Sequence, residues 1–100
     1  MNKKFLIFLN REFNPVVVLG IVTYHKDIPF PTEFGKPAVR CGGGWWELNK
    51  ETGLLRLYSD SADFGKYDIE FAKEAFDKKN VYYFDENVYD DFKLKKLACE

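Results

Sequence analysis

The stretch Cys41–Asp68 constrains the fold of this chain more than any other. It begins with three glycines, continues with two apolar segments separated by a polar connection that ends at Gly53, and closes with small polar residues. Because glycine readily adopts positive φ at the end of such a connection, the segments Trp45–Leu48 and Leu54–Tyr58 are predicted to form a β-hairpin. The rest of the chain is expected to frame this hairpin and the loop after it.

Two further strands are predicted upstream of the hairpin. Phe5–Leu9 is a continuous apolar run, which is typical of a central strand buried on both faces. Val16–Tyr24 is rich in β-branched residues, and Gly20 within it indicates a bulge or a close backbone contact. The segment Lys26–Pro37 contains too many prolines for a regular element and is predicted to be an irregular surface loop.

The pattern changes to a helical period at Asp68, which is a plausible N-cap. The helix is expected to end near Lys79, and Val81–Phe84 is expected to return as a short strand. The tail, residues 85–100, has no clean period and is predicted to include a short packed helix. The apolar side of the main helix is predicted to hold Ile69, Phe71, Ala72, Ala75 and Phe76.

Length and composition complete the predicted fold class. One hundred residues suit one domain, 1–100, of the α/β (α+β) class, with a single mixed sheet of about five to six strands, one main helix and the short C-terminal helix. The 15 basic and 16 acidic residues are scattered, which disfavours nucleic acid as a partner. No apolar run approaches the roughly 18 residues of a membrane span, and no targeting segment is evident, so a cytoplasmic protein is expected.

His25 is the only histidine, and it stands where a predicted buried strand meets the irregular loop. An imidazole can exchange a proton near neutral pH, as general acid or base catalysis requires. The alternative is a structural histidine at a strand end that forms a hydrogen bond with the backbone, and on spacing alone this alternative is favoured.

The loop Ser59–Gly65 lies between a predicted strand and a predicted helix. Small residues there allow successive backbone N–H groups to converge on a phosphate or another anion. The alternative is a capping loop whose polar side chains satisfy the N–H groups of the helix. Asp60 and Asp63 would repel an anion, and together with His25 and Asp27 they could instead bind a divalent metal, although no spacing rule supports such a site.

Three segments together resemble the Janus/ocnus family, whose best-known activity is the hydrolysis of phosphohistidine. They are Tyr24–Ile28 (YHKDI), Cys41–Gly44 (CGGG) and Leu57–Gly65 (LYSDSADFG), in the order and approximate spacing of the family. The resemblance covers about residues 3–84 and leaves 85–100 as a tail outside it. It implies a mixed sheet with two helices rather than a nucleotide-binding fold, and neither a cofactor nor a metal.

The resemblance also implies site residues. His25 would be the catalytic residue, and a lysine on the first strand, most nearly Lys4, would assist it. The loop residues Ser61, Ala62 and Asp63, together with Gly65, would bind phosphate through backbone amides and the serine hydroxyl. The chain departs from the family at Trp45, where the family enzyme has an arginine, and at Asp63, where it has a small apolar residue.

Two functions therefore remain open. The first is a metal-independent hydrolase of phosphoamidate or phosphoester groups, with a phosphorylated protein or a small anionic ligand as its partner. The second is a binding or regulatory module on the same scaffold with a degenerate phosphate pocket. The module would contact a protein partner through exposed aromatic side chains, since the chain contains ten Phe, six Tyr and two Trp.

Overall fold

The structure is a computed structural model that describes residues 2–30, 37–84 and 94–100, with only the backbone at 37, 38 and 84. Within these residues the chain forms one mixed β-sheet and one α-helix, an α+β arrangement, as the sequence predicts. The helix α1 spans Ile69–Asp77, and a 3₁₀ turn spans His25–Asp27. The six strands are β1 Asn2–Asn10, β2 Pro15–Val22, β3 Pro37–Asn49, β4 Leu54–Tyr58, β5 Val81–Phe84 and β6 Lys96–Cys99.

The strands are arranged in the order β5-β2-β1-β3-β4-β6. β1 pairs antiparallel with β2 and β3, and β3 pairs antiparallel with β4 in the predicted hairpin. The two outer strands, β5 and β6, pair parallel with β2 and β4. β1 therefore lies inside the sheet, and its residues Phe5, Leu6, Ile7 and Phe8 are at most 1% exposed, which confirms the prediction of a strand buried on both faces.

Alternation along the strands divides the core between the two faces of the sheet. On the helix face, Phe5, Trp46 and Leu57 pack in the same cluster as Ala72 and Ala75 of α1. The opposite face, which we call the loop face, carries a second buried cluster: Leu6, Phe8, Val16, Val18, Val22 and Ile28. Ile28 and Phe30 after β2, together with Phe64 after β4, cover the loop face. The helix α1 covers the other face through Ala72 and Ala75.

The helix begins as predicted at Asp68, whose side chain accepts hydrogen bonds from the N–H groups of Glu70 (2.8 Å) and Phe71 (3.3 Å). Ala72 and Ala75 are fully buried, and these small side chains let the helix approach the sheet closely. The prediction that Ile69 packs in the core is wrong: this first helical residue is 37% exposed, outside the alanine contact. Among the described residues no helix is long and apolar enough to cross a membrane.

The glycines lie inside β3 rather than before it, so the predicted start of this strand at Trp45 is wrong. A Cβ atom at Gly43 would lie 2.3 Å from the carbonyl oxygen of Phe5, and one at Gly44 would lie 2.3 Å from that of Tyr58. Gly42 has a φ of +99°, next to an irregularity in the pairing with β1. The glycines are needed here because neighbouring backbone occupies the space that side chains would take.

The described part of the C-terminal tail is a strand, which corrects the prediction of a helix there. β6 adds to the free edge of β4, and its residues Leu97 and Cys99 pack against the helix-face cluster. An alternating pattern over only four residues is too short to be recognised as a strand from sequence, and pairing with β4 supplies the missing backbone partners. Residues 85–93 lie outside the described residues.

Replacement of Gly44 by alanine should lower the free energy of unfolding by about 2 to 3 kcal/mol, because the added methyl group would overlap the Tyr58 carbonyl. Gly20→Ala is a matched control in β2, on the other side of β1, where the new Cβ would lie 3.3 Å from a movable Ile28 side-chain atom. Urea denaturation of both variants measures the difference. Equal losses in the two variants would contradict the steric argument.

Candidate functional site

His25 follows β2 and packs against the loop face of the sheet at Gly43. It begins the 3₁₀ turn and is only 5% exposed. Its Nε2 atom lies 2.8 Å from the carbonyl oxygen of Gly44 in β3. The backbone-bonded histidine considered from the sequence is therefore present, and the bond fixes the ring against β3.

This hydrogen bond determines the tautomer of the imidazole. A carbonyl oxygen can only accept, so Nε2 carries a proton, and in the neutral ring Nδ1 holds the lone pair. Burial is the largest influence and lowers the pKa of His25 below 6.5, and the nearby Lys4 lowers it further. The bond to Gly44 and the carboxylates of Asp63 and Asp60 act in the opposite direction. The ring is thus neutral near pH 7, with Nδ1 able to act as a base or a nucleophile.

Lys4, the predicted assisting lysine, lies beside His25. It is half-buried in β1, and its ammonium group donates a hydrogen bond to the carbonyl oxygen of Thr23, two residues before His25. The ammonium nitrogen also lies 5.5 Å from the ring centroid of Trp45, its cross-strand neighbour in β3. The indole of Trp45, at the position where the resemblance predicts an arginine, therefore lies beside the Lys4 ammonium group.

The loop predicted to bind phosphate is closed by its own hydrogen bonds. The N–H of Ser61 donates to the carbonyl oxygen of Gly65 at 3.2 Å, and the N–H of Gly65 donates to the carbonyl oxygen of Ser61 at 2.8 Å. The Ser61 hydroxyl oxygen, in a side chain that is 97% buried, accepts from the N–H of Phe64 at 3.2 Å. The amides of Ser61, Phe64 and Gly65 are therefore already engaged.

Two successive amides at the tip of this loop make no such bonds. Among the described residues, the backbone N–H groups of Ala62 and Asp63 have no hydrogen-bond partner, and both residues are exposed. Successive free N–H groups in a tight turn form a concave donor pair that suits an anionic oxygen. Of the amides that the family resemblance assigns to phosphate, those of Ala62 and Asp63 are free, whereas those of Ser61 and Gly65 are engaged within the loop.

Two consecutive glycines connect His25 with this loop. Gly44 accepts the hydrogen bond from the imidazole, while the N–H of Gly43 donates to the carbonyl oxygen of Gly65 at 3.2 Å. The Cδ2 atom of His25 lies only 3.2 Å from the position that a Cβ atom of Gly43 would occupy. The three segments singled out in the sequence therefore meet at one point in the structure.

Two carboxylates also influence the charge of His25. Asp63 and Asp60 are close enough to raise its pKa, so the single ammonium group of Lys4 is outnumbered there. The described residues contain no group of three or more His, Cys, Asp or Glu placed to hold a metal ion. Both cysteines are free, and burial raises the pKa of each thiol, which leaves neither activated as a nucleophile.

Sequence reasoning missed a second set of contacts that secures the loop from behind. The ammonium group of Lys66 donates to the carbonyl oxygens of Ser59 (3.2 Å) and Glu100 (2.6 Å). The buried hydroxyl of Tyr67 lies 2.9 Å from the Leu57 carbonyl oxygen and 2.8 Å from that of Glu100. No local sequence pattern predicts these bonds, because the bonds to Glu100 form only when β6 pairs with β4.

Sequence reasoning also missed Arg40, which precedes the glycines in β3. Its guanidinium carbon lies 5.6 Å from the ring centroid of Phe8 and 5.5 Å from that of Phe64. Phe64 belongs to the loop Ser59–Gly65, so this exposed arginine is placed beside the loop. A lone arginine ahead of a glycine run gives no signal of such a position.

Comparison of the chain with protein-family models, with curated proteins and with solved structures finds no match. The Janus/ocnus resemblance therefore rests on the three segments and on nothing beyond them.

Nuclear magnetic resonance of the single histidine should give a titration midpoint below 6.5, because burial opposes the charged ring. Since the unfolded chain then binds this proton more readily, the stabilising contribution of neutral His25 is fully present above about pH 6.5. It is lost as the pH falls through the folded-state pKa. Wild-type protein should lose more stability than His25→Asn between about pH 7.5 and about pH 5. A midpoint above 6.5 would contradict the buried, neutral ring.

Proposed function

We propose that this chain is a Janus/ocnus-like phosphohydrolase, a phosphohistidine phosphatase-like enzyme that cleaves phosphoamidate or phosphoester groups without a metal. Its substrate is a phosphorylated protein or a small phosphorylated ligand. One observation supports this proposal most directly. Gly44 bonds to the buried, neutral His25, and the adjacent Gly43 bonds to the loop that carries two free amides.

The reaction needs a proton acceptor and positioned donors for the phosphoryl oxygens. As a general base, Nδ1 of His25 takes a proton from water while the water oxygen bonds to phosphorus and the P–N or P–O bond breaks. The proton then passes to the leaving nitrogen or oxygen, and inorganic phosphate results. As a transient nucleophile, Nδ1 itself bonds to phosphorus, and water releases the phosphate in a second step.

The loop and Lys4 would act on the charge of the transferred group. The free N–H groups of Ala62 and Asp63 donate to phosphoryl oxygens, and the hydroxyl of Ser61 is adjacent to them in the chain. Lys4 contributes a positive charge on the His25 side. Such charge-assisted bonds are stronger than neutral ones, and they position the phosphorus for in-line attack.

Purified wild-type protein should release phosphate from phosphohistidine, phosphoramidate or an aryl phosphate, and His25→Asn should reduce the rate by about 100-fold or more. Asparagine keeps a polar side chain of similar reach but cannot accept and pass on the proton. Lys26→Gln, at the exposed neighbouring position, is the matched control and should keep full activity. Phosphate release by His25→Asn at the wild-type rate would overturn the proposal.

A specific observation favours the binding or regulatory module as a second candidate. His25 is 5% exposed, Trp45 contacts Lys4, and two carboxylates lie near the imidazole, all of which oppose entry of a dianion. Exposed aromatic side chains support a protein partner: Phe13 is 75% exposed and Tyr24, next to His25, is 55% exposed. The module would keep the scaffold without turnover.

Trp45→Arg distinguishes the two candidates, because it restores the cation that the family enzyme carries at this position. If the chain is a module with a degenerate pocket, the wild type should release no phosphate, and Trp45→Arg should bind inorganic phosphate about tenfold more tightly. Trp45→Leu, which removes the ring without adding charge, should not tighten binding. Turnover by the wild-type protein would rule out the module.

A further inference from the structure

Arg40 carries a positive charge beside the loop Ser59–Gly65. Its guanidinium carbon lies 5.6 Å from the ring centroid of Phe8 and 5.5 Å from that of Phe64. Phe64 directly follows Asp63, and its N–H is bonded to the Ser61 hydroxyl oxygen. Phe64 therefore belongs to the same loop as the free amides of Ala62 and Asp63.

A β-bulge turns Arg40 toward the same face of the sheet as His25. In the pairing of β1 with β3, Phe8 lies opposite Arg40 and Leu6 lies opposite Gly43. Two steps along β1 thus correspond to three along β3, and the extra residue brings positions 40 and 43 to one face. The His25 ring packs at the Cβ position of Gly43, so the guanidinium and the imidazole share the loop face.

The proximity of the Arg40 guanidinium to two aromatic rings leaves its hydrogen-bonding capacity unused, because a cation–π contact engages the charge and not the five N–H donors. Among the described residues Arg40 forms no ion pair and donates no side-chain hydrogen bond, in contrast to Arg56, which pairs with Glu47 and Glu100. The donor edge of Arg40 is free for a ligand with oxygens in a matching fork.

The charged groups near His25 are more acidic than basic, so a further cation would favour the binding of an anion. Asp60 and Asp63 exceed Lys4 in number, and an incoming phosphoryl group adds further negative charge. The family's arginine after the glycines is replaced by Trp45, which removes the expected positive charge from that side of the pocket. A guanidinium group beside Phe64 adds a positive charge near this loop, which would attract an anion toward the free amides of Ala62 and Asp63.

We propose that Arg40 is the anion-binding arginine of this site, displaced from the position after the three glycines to a position before them. Together with the amides of Ala62 and Asp63 it binds the oxygens of a phosphoryl group, as a specificity-determining residue for phosphate and phosphate esters. This inference rests on the proposed phosphate site, and it adds to that site a residue that the family resemblance does not supply.

Titration of isotopically labelled protein with inorganic phosphate, followed by nuclear magnetic resonance, tests the inference. In the wild type, the amide signals of Ala62 and Asp63 should shift, and added salt should weaken the binding. Arg40→Gln, which keeps a polar side chain but removes the charge, should weaken binding about tenfold or more. Arg40→Lys keeps the charge without the planar fork and should weaken binding less.

Arg11→Gln is the matched control, because Arg11 is an exposed arginine in the turn after β1, and it should bind phosphate as the wild type does. If the wild type shows no shifts at Ala62 and Asp63, the phosphate site and the role of Arg40 both fail. If the wild type binds but Arg40→Gln, with an otherwise unchanged spectrum, binds equally well, only the role of Arg40 fails. If Arg40→Gln does not fold, Arg40→Lys decides: binding as tight as wild type overturns the bidentate role, and weaker binding supports it.

Discussion

The absence of a Cβ atom at Gly43 and Gly44 is the constraint on which the rest of this structure depends. A Cβ atom at Gly43 would lie 2.3 Å from the Phe5 carbonyl oxygen in β1, and one at Gly44 would lie 2.3 Å from the Tyr58 carbonyl oxygen at the end of β4. This close approach lets one peptide segment bond to His25 on one side and to Gly65 on the other. A larger residue at either position would separate His25 from the loop Ser59–Gly65, and the two parts of the candidate site would no longer be in contact.

The electrostatics of the site follow from this packing. Because His25 is pressed against β3, burial lowers the pKa of its ring, and the bond to a carbonyl oxygen leaves the lone pair on Nδ1. A neutral imidazole suits both proton transfer and nucleophilic attack. The neighbouring carboxylates work against an anionic ligand, and the Lys4 ammonium group works in its favour.

Much of the fold was predictable because its signals are local. The apolar run of β1, the hairpin around Gly53 and the Asp68 cap each depend on residues close in sequence. The bounds of β3 and the strand β6 were not predictable, since both depend on pairing with distant backbone. For the site, the sequence pointed to Lys4, His25 and Ser61–Asp63 as candidates, mainly through the family resemblance. It gave no signal for Arg40 or for the bonds of Lys66 and Tyr67.

The sequence by itself determined the residue types at the site and the order of the strands and helix that carry them. Only the tertiary structure decided which of these groups are free to act: it engaged the amides of Ser61 and Gly65, left those of Ala62 and Asp63 without partners among the described residues, and buried His25 in its neutral form. The reason is physical. A side chain's chemical nature is fixed by its covalent structure, whereas its charge, exposure and unused hydrogen-bonding capacity depend on neighbours that are distant in sequence. The bulge at Gly42 illustrates this dependence, because one extra residue in β3 brings Arg40 to the face that His25 occupies.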